Sequence, residues 1–291
     1  MPKIAYKNIR FSKSSQEIIF QANKIIREYQ NQGFTLTLRQ LYYQFVSRDL
    51  IKNNVQSYKR LGSIANDARL AGLIDWDAIE DRTRELSHVN TWEQPSDIIR
   101  ACAEQFKIDL WDTQPNYIEV WVEKEALAGV VETVCNKYRV PFLSCRGYTS
   151  QSEMWRAGER LKERASNQEI TILHLGDHDP SGIDMSRDIE DRLKMFTDMS
   201  FEFVRLALNM SQIREFNPPP NFAKQTDSRF QDYLNKFGED SWELDALEPS
   251  VITGLIETAI QERINSDAWK EAVDIEESHK MLLTKLANKI K

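Results

Sequence analysis

Apolar positions along the first hundred residues recur with helical spacing. Ile18, Ile19, Ala22, Ile25, Ile26 and Tyr29 form one stripe, opened by the capping-box pattern Ser14-x-x-Glu17 and stopped at Gly33. Thr37 then caps a second helix, LRQLYYQFVSRDL, and a third spans Ser57 to Ala71 and ends at Gly72. A short extended piece, Leu73 to Trp76, and the charged run EDRTRE follow, with another helix expected from Ser96 to Asp109. After the polar, proline-bearing stretch Asp112 to Asn116 the pattern changes to alternating strands and helices. Strands are predicted at Tyr117 to Val122, Pro141 to Cys145, Ile170 to Leu175 and Phe201 to Ala207. Helices are predicted at Lys124 to Tyr138, Ser150 to Ala165 and Ile183 to Phe196. Residues 216–229 read as a loop, and the chain from about Ser228 as mainly helical.

This order predicts an α/β protein in two parts. Three helices and an extended segment resemble a winged helix-turn-helix, placed over residues 1–112. The βαβα alternation predicts a Rossmann-like parallel sheet over residues 113–291, with a helical C-terminal part.

Composition is consistent with this two-part order. The 291 residues are 41% hydrophobic and 29% charged, enough for a core in each part. No apolar run reaches the roughly 20 residues that cross a bilayer. The start, MPKIAYKNIRFSKSS, lacks a signal-peptide stretch, so a cytoplasmic protein is expected. Cys102, Cys135 and Cys145 show no CxxC spacing and read as reduced packing residues. The net charge of −7 argues against nucleic acid, but it is unevenly spread. Residues 1–115 hold 16 basic and 14 acidic side chains, and residues 36–69 hold six basic against two acidic. Such a locally basic segment suits a DNA-facing patch and equally an ordinary solvated surface.

The chemistry concentrates where the third strand ends, in Gly176-Asp177-His178-Asp179-Pro180. Ligands in parallel sheets gather at the carboxyl ends of strands. The first strand ends in Glu123-Lys124 on the same edge, so Glu123 can approach Asp177 and Asp179. Three carboxylates are suitable hard ligands for Mg²⁺. Taken alone, Asp-x-Asp before Pro-Ser-Gly is an excellent turn; the strand-terminal glutamate tips the reading to metal. His174 reads as a core histidine, and His178 as pointing away from the acids.

VEKEAL followed by GDHDPSG resembles the Toprim domain of topoisomerases, primases and related nucleases. More narrowly, these motifs and the later Trp242-Glu243-Leu244-Asp245-Ala246-Leu247 resemble the A subunit of DNA topoisomerase VI and its meiotic double-strand-break relatives. The resemblance implies that Glu123, Asp177 and Asp179 hold Mg²⁺, with Mn²⁺ as a substitute, and that Glu123 assists the chemistry. After the second strand the family has Lys-Gly and then Thr-Arg, whereas this chain has Arg146-Gly147-Tyr148 and Ser150-Gln151-Ser152. Arg146 can still bring positive charge to a phosphate.

Arg39-Gln40-Leu41-Tyr42-Tyr43 resembles the family's R-x-x-aromatic-Tyr motif. On the helix, Leu38, Leu41, Tyr42 and Phe45 form the apolar stripe, so Tyr42 is expected in the core. Tyr43 is expected at the surface, with Arg39 one turn earlier on its face. The family's nucleophile is the last tyrosine of the motif, and both arguments select Tyr43. Lys59, Arg60 and Arg69 are expected to contact DNA from the third helix; Arg82 and Arg84 either do the same from the wing or pair with Glu80, Asp81 and Glu85. Tyr58 and Tyr148 read as packing or DNA-contact residues.

The resemblance implies a type IIB DNA topoisomerase, similar to the catalytic half of that enzyme and of the compact topo mini-A type carried by bacterial, phage and plasmid elements. It implies a homodimer on double-stranded DNA, in which Tyr43 of one protomer works with the acids of its partner. The link is a 5′-phosphotyrosyl bond. No Walker motif is present, so an ATPase would be a separate partner. Two alternatives stay open: a Toprim-type metal-dependent endonuclease that uses water, and a non-catalytic DNA-binding recombination scaffold.

Overall fold

The computed structural model describes residues 3–79, 91–223 and 227–290. The expected wing arginines Arg82 and Arg84 lie outside them. No helix among the described residues is long and apolar enough to cross a membrane.

The protein is α/β, built on a parallel four-stranded sheet in the order β2-β1-β3-β4. The strands are β1 (Asn116–Val122), β2 (Phe142–Ser144), β3 (Glu169–Leu175) and β4 (Glu202–Ala207). Alternation along β1 feeds two cores. Ile118, Val120 and Val122 face a layer built on α5 (Ala128–Tyr138) and α10 (Pro249–Gln261). Tyr117 and Trp121 face α6 (Gln151–Ala165) and α7 (Pro180–Thr197). A sheet covered on both faces explains the near-continuous apolar runs of β1 and β3. Glu119 is the buried exception in β1; the Arg160 guanidinium grips both its oxygens at 2.7 and 3.0 Å.

The register fixes the functional edge. Val122 pairs with Ser144 on one side and Leu175 on the other, so Glu123, Cys145 and Gly176 emerge together. Gly176 is then stitched to β4, donating to the Ala207 carbonyl and accepting from the Leu208 amide, both at 2.8 Å.

The N-terminal helices α1 (Lys13–Gln30), α2 (Leu38–Ser47) and α3 (Val55–Leu70) share their own core around Leu41, Phe45 and Leu61. Ala246, from far along the chain, belongs to that core. The fourth helix, α4 (Pro95–Gln105), packs instead on α11 (Ser266–Ala287), and Trp111 lies in the sheet's core. Glu276 on α11 ties this region down, bonding the Ile108 amide at 2.9 Å and the Arg139 guanidinium.

Several boundaries differ from those the sequence predicts. Ser12, not Ser14, caps α1, its hydroxyl accepting from the Ser15 amide. The α2 helix stops at Ser47 instead of Leu50, because Asp49 takes a left-handed conformation at φ 54°. The α7 helix starts three residues early. Asp179 is its N-cap and Pro180 its first residue, so the apparent Asp-Pro-Ser-Gly turn is a helix start. The predicted loop is bracketed by α8 (Met210–Phe216) and α9 (Phe230–Phe237). Inside it, β5 (Asn221–Phe222) pairs antiparallel with the later β6 (Asp240–Ser241).

Candidate active site

A cavity of about 640 Å³ opens between α2 and the carboxyl edge of the sheet. Arg39, Tyr42, Tyr43 and Tyr58 line it from the helical side, and Glu123, Lys124, Asp177, Asp179 and Glu243 from the sheet side. The predicted phenol and the predicted acids therefore meet in one chain.

Glycine makes the acidic side possible. A Cβ on Gly182 would lie 2.3 Å from the Asp177 carbonyl oxygen and 3.1 Å from Glu123 Oε2. One on Gly176 would lie 2.9 Å from the same Glu123 oxygen. The Asp177 amide donates to Glu123 Oε2 at 2.9 Å, locking the two strand ends together. Asp179 Oδ1 caps the Gly182 amide and accepts from Ser181 at 2.9 Å. Beneath the turn, Arg205 of β4 donates to the carbonyls of Gly176, Gly182 and Asp177. Burial pushes its guanidinium down to about 10.

The acids are not alone. Lys124 Nζ lies 2.9 Å from Asp177 Oδ2, 2.7 Å from Glu243 Oε2 and 3.0 Å from Asp245 Oδ1. Burial works against its charge, but Asp245, Asp177 and Glu243 outweigh it and hold the ammonium well above its ordinary value. Asp177 also accepts from the Leu244 amide at 2.8 Å. Burial lifts its carboxyl to about 7 against the pull of Lys124, with Glu123 and Asp245 adding to the rise. Glu123 is raised as well, by burial first and by the Asp179 charge, against the pull of the Asp177 amide.

These bonds bear on Mg²⁺. Among the described residues, no three acidic, histidine or cysteine side chains converge as a ready metal cage. Asp177 is engaged by Lys124 and Leu244. Glu123 and Asp179 are each held through one oxygen, Oε2 and Oδ1, and both side chains border the cavity. The donor chemistry fits Mg²⁺, which keeps most of its waters and needs only one or two carboxylates plus a phosphate.

Tyr43 departs from the expected surface position. It is buried, only 4% exposed. The α2 helix has two covered faces: α1 and α3 pack on one, and the turn at Leu244–Ala246 packs on the other. The Tyr43 hydroxyl shares a side-chain hydrogen bond with Glu243 and lies 3.4 Å from Arg39 Nη2. Burial, then Asp245 and Glu243, push the phenol up. Arg39 does sit on its face, with Nη2 2.6 Å from Glu243 Oε2 and Nε 3.3 Å from Asp245 Oδ2. Tyr42 is the core aromatic expected, edge-on to both Tyr43 and Tyr58.

The other predicted contacts divide. Lys59 and Arg60 are exposed, Arg60 donating to the Ser14 hydroxyl at 3.2 Å. Arg69 is spent internally, stacked 4.8 Å over the Trp76 ring and donating to its carbonyl. Arg146 is absent from the cavity wall; it has φ 54° and grips Glu125 with bonds of 2.7 and 2.8 Å. Tyr148 bonds Asp184, away from the acids. His174 is fully buried against Ser186, and His178 turns away to Tyr233.

Four site residues carried no assigned role in the sequence: Lys124, Arg205, Glu243 and Asp245. Arg205 left a signal, a lone charge within the apolar run FVRLA. Glu243 and Asp245 sat inside a segment marked only by its resemblance. No protein-family model and no curated protein matches this chain.

Proposed function

We propose that the protein is a DNA transesterase of the topoisomerase VI A-subunit type, with a winged-helix part and a Toprim part. One observation carries this reading. Arg39 and Tyr43 of α2 line the same cavity as Glu123, Asp177 and Asp179. A phenol, a guanidinium and strand-end acids together suit phosphoryl transfer from DNA to tyrosine.

In this reading Arg39 and Lys124 hold a backbone phosphate against the Tyr43 hydroxyl. The phenol gives up its proton as its oxygen bonds to phosphorus, the bond from phosphorus to the 3′ oxygen breaks, and that oxygen takes up one proton to become the 3′-hydroxyl. The 5′-phosphotyrosyl link keeps the phosphodiester energy, so resealing is the reverse step. Glu123 and Asp179, with Asp177, would hold Mg²⁺ or Mn²⁺, whose charge offsets that of the phosphate. Arg205 keeps the acid-bearing turn in place. Duplex DNA is the proposed substrate and a homodimer the proposed assembly, in the cytoplasm; an ATPase would be a separate chain.

Pure protein, plasmid and Mg²⁺ or Mn²⁺, denatured with and without protease, form the test. DNA ends that carry protein and vanish in Tyr43→Phe are expected. Mixing Tyr43→Phe with Asp179→Asn protomers then asks whether the site is shared, since only a shared site regains cleavage. Within a single chain both halves already border the cavity.

A second reading is a metal-dependent nuclease that uses water. The burial of Tyr43 and its raised phenol favour it, because a protonated, packed tyrosine is a poor nucleophile. Free ends that persist in Tyr43→Phe would select it.

A further inference from the structure

Two cations converge on a single oxygen in the cavity. Glu243 Oε2 is 2.6 Å from Arg39 Nη2 and 2.7 Å from Lys124 Nζ, and the Tyr43 hydroxyl shares a hydrogen bond with the same carboxylate. Its other oxygen has a long, 3.5 Å contact with Asn221 Nδ2. Charged donors of this kind bind phosphate oxygens as they bind carboxylates. The two partner acids differ in setting. Asp245 has a fully buried side chain, whereas the Glu243 side chain is 24% exposed on the cavity wall. Glu243 also has an extended backbone, at φ −91° and ψ 137°, just before the Leu244–Ala246 turn. Its carboxylate can therefore swing away from the two cations toward solvent without unwinding a helix, while Asp245 stays to hold Arg39 and Lys124.

We infer that Arg39, Lys124 and Tyr43 form a phosphate-binding subsite that the Glu243 carboxylate fills as a built-in competitor. The inference rests on the proposed reading of the cavity as a phosphate site. An incoming phosphate takes the place of the carboxylate on Arg39 Nη2, Lys124 Nζ and the Tyr43 hydroxyl, and Glu243 moves to solvent. A nucleic-acid backbone and a free phosphate ion share this chemistry.

Equilibrium binding in EDTA tests this without any cleavage. Inorganic phosphate and a short duplex are each titrated into wild type, Glu243→Gln and Glu243→Asp. The remote, exposed Glu262→Gln is the control for net charge. Glu243→Gln is expected to tighten binding about tenfold, with a smaller gain in Glu243→Asp and none in Glu262→Gln. Adding Arg39→Ala to Glu243→Gln is expected to remove the gain. A gain with the duplex alone identifies a backbone phosphate, and one with inorganic phosphate identifies a free ion; both support the subsite. Equal gains in Glu243→Gln and Glu262→Gln, or no gain in either Glu243 variant, overturn it. Glu243→Asp keeps the charge and most of the contact, so a misfolded Glu243→Gln leaves the test readable. Because the readout is binding without metal, its failure is distinct from a failure of Tyr43 to form a covalent link.

Discussion

The Lys124 ammonium lies 2.9 Å from Asp177 Oδ2, tying the end of β1 to the end of β3 beneath the cavity. Both side chains are largely withdrawn from water, at 17% and 9% exposure. Removing one partner of such a pair strands the other charge, at a cost of about 3–5 kcal/mol. Lys124→Met is expected to lose that much in urea unfolding, and Asp177→Asn in the same background to recover part of it. A loss below about 1 kcal/mol would place the pair with ordinary surface bridges.

Two glycines predict opposite signs for one substitution. Gly182→Ala forces a Cβ against the Asp177 backbone, and a backbone neighbour gives way poorly. A loss of about 1–3 kcal/mol is expected, together with a weakened Asp179 cap. Gly254, inside α10, has nothing within 4 Å of an added Cβ. Gly254→Ala is expected to stabilise by about 1 kcal/mol. Thermal melts of both variants check the pair.

His174 sets a pH dependence. Burial, and then the nearby Arg205, push its imidazole down to about 3. The unfolded chain then binds a proton on this residue below the ordinary histidine value of 6.5, and the folded chain does not until about 3. Stability from this group is whole at neutral pH and falls as the pH drops through that window, by about 1.4 kcal/mol per pH unit. Asp177, raised to about 7, titrates with the opposite sign, so total stability alone does not isolate the histidine. The difference between wild type and His174→Gln does. That deficit is expected to shrink steadily between pH 6 and 4; a constant deficit would contradict it.

The basic face of α3 makes a separable prediction. Lys59→Ala and Arg60→Ala are each expected to weaken duplex binding and to reduce the salt slope by about one. Arg69→Ala should leave that slope alone and lower the melting temperature, because its guanidinium holds Trp76. Fluorescence anisotropy across a salt series reads the first effect, and melting the second.

The sheet was legible because period and burial agree along β1 and β3, whose ends delivered Glu123 and Asp177 to one edge. Local pattern served less well where distant chain intervenes. Helical geometry put Tyr43 off the apolar stripe of α2, correctly for an isolated helix. It could not foresee that residues 244–246 would cover that second face. Arg146 failed for a related reason. Its place after β2 was right, but a left-handed backbone and Glu125 turn its charge elsewhere. Asp-Pro-Ser-Gly misled because turns and helix starts use the same residues.

The wall of the cavity is drawn from Arg39 at one extreme and Glu243 at the other, with Asp245 clamping both cations behind it. A ribosome releases Tyr43 early and the β3 acids later, but the closing segment emerges only after most of the chain. Until residues 242–247 dock on α2, a nascent or truncated polypeptide carries the residues of both walls without the segment that joins them. The order of synthesis thus leaves the cavity unformed until this late segment is in place.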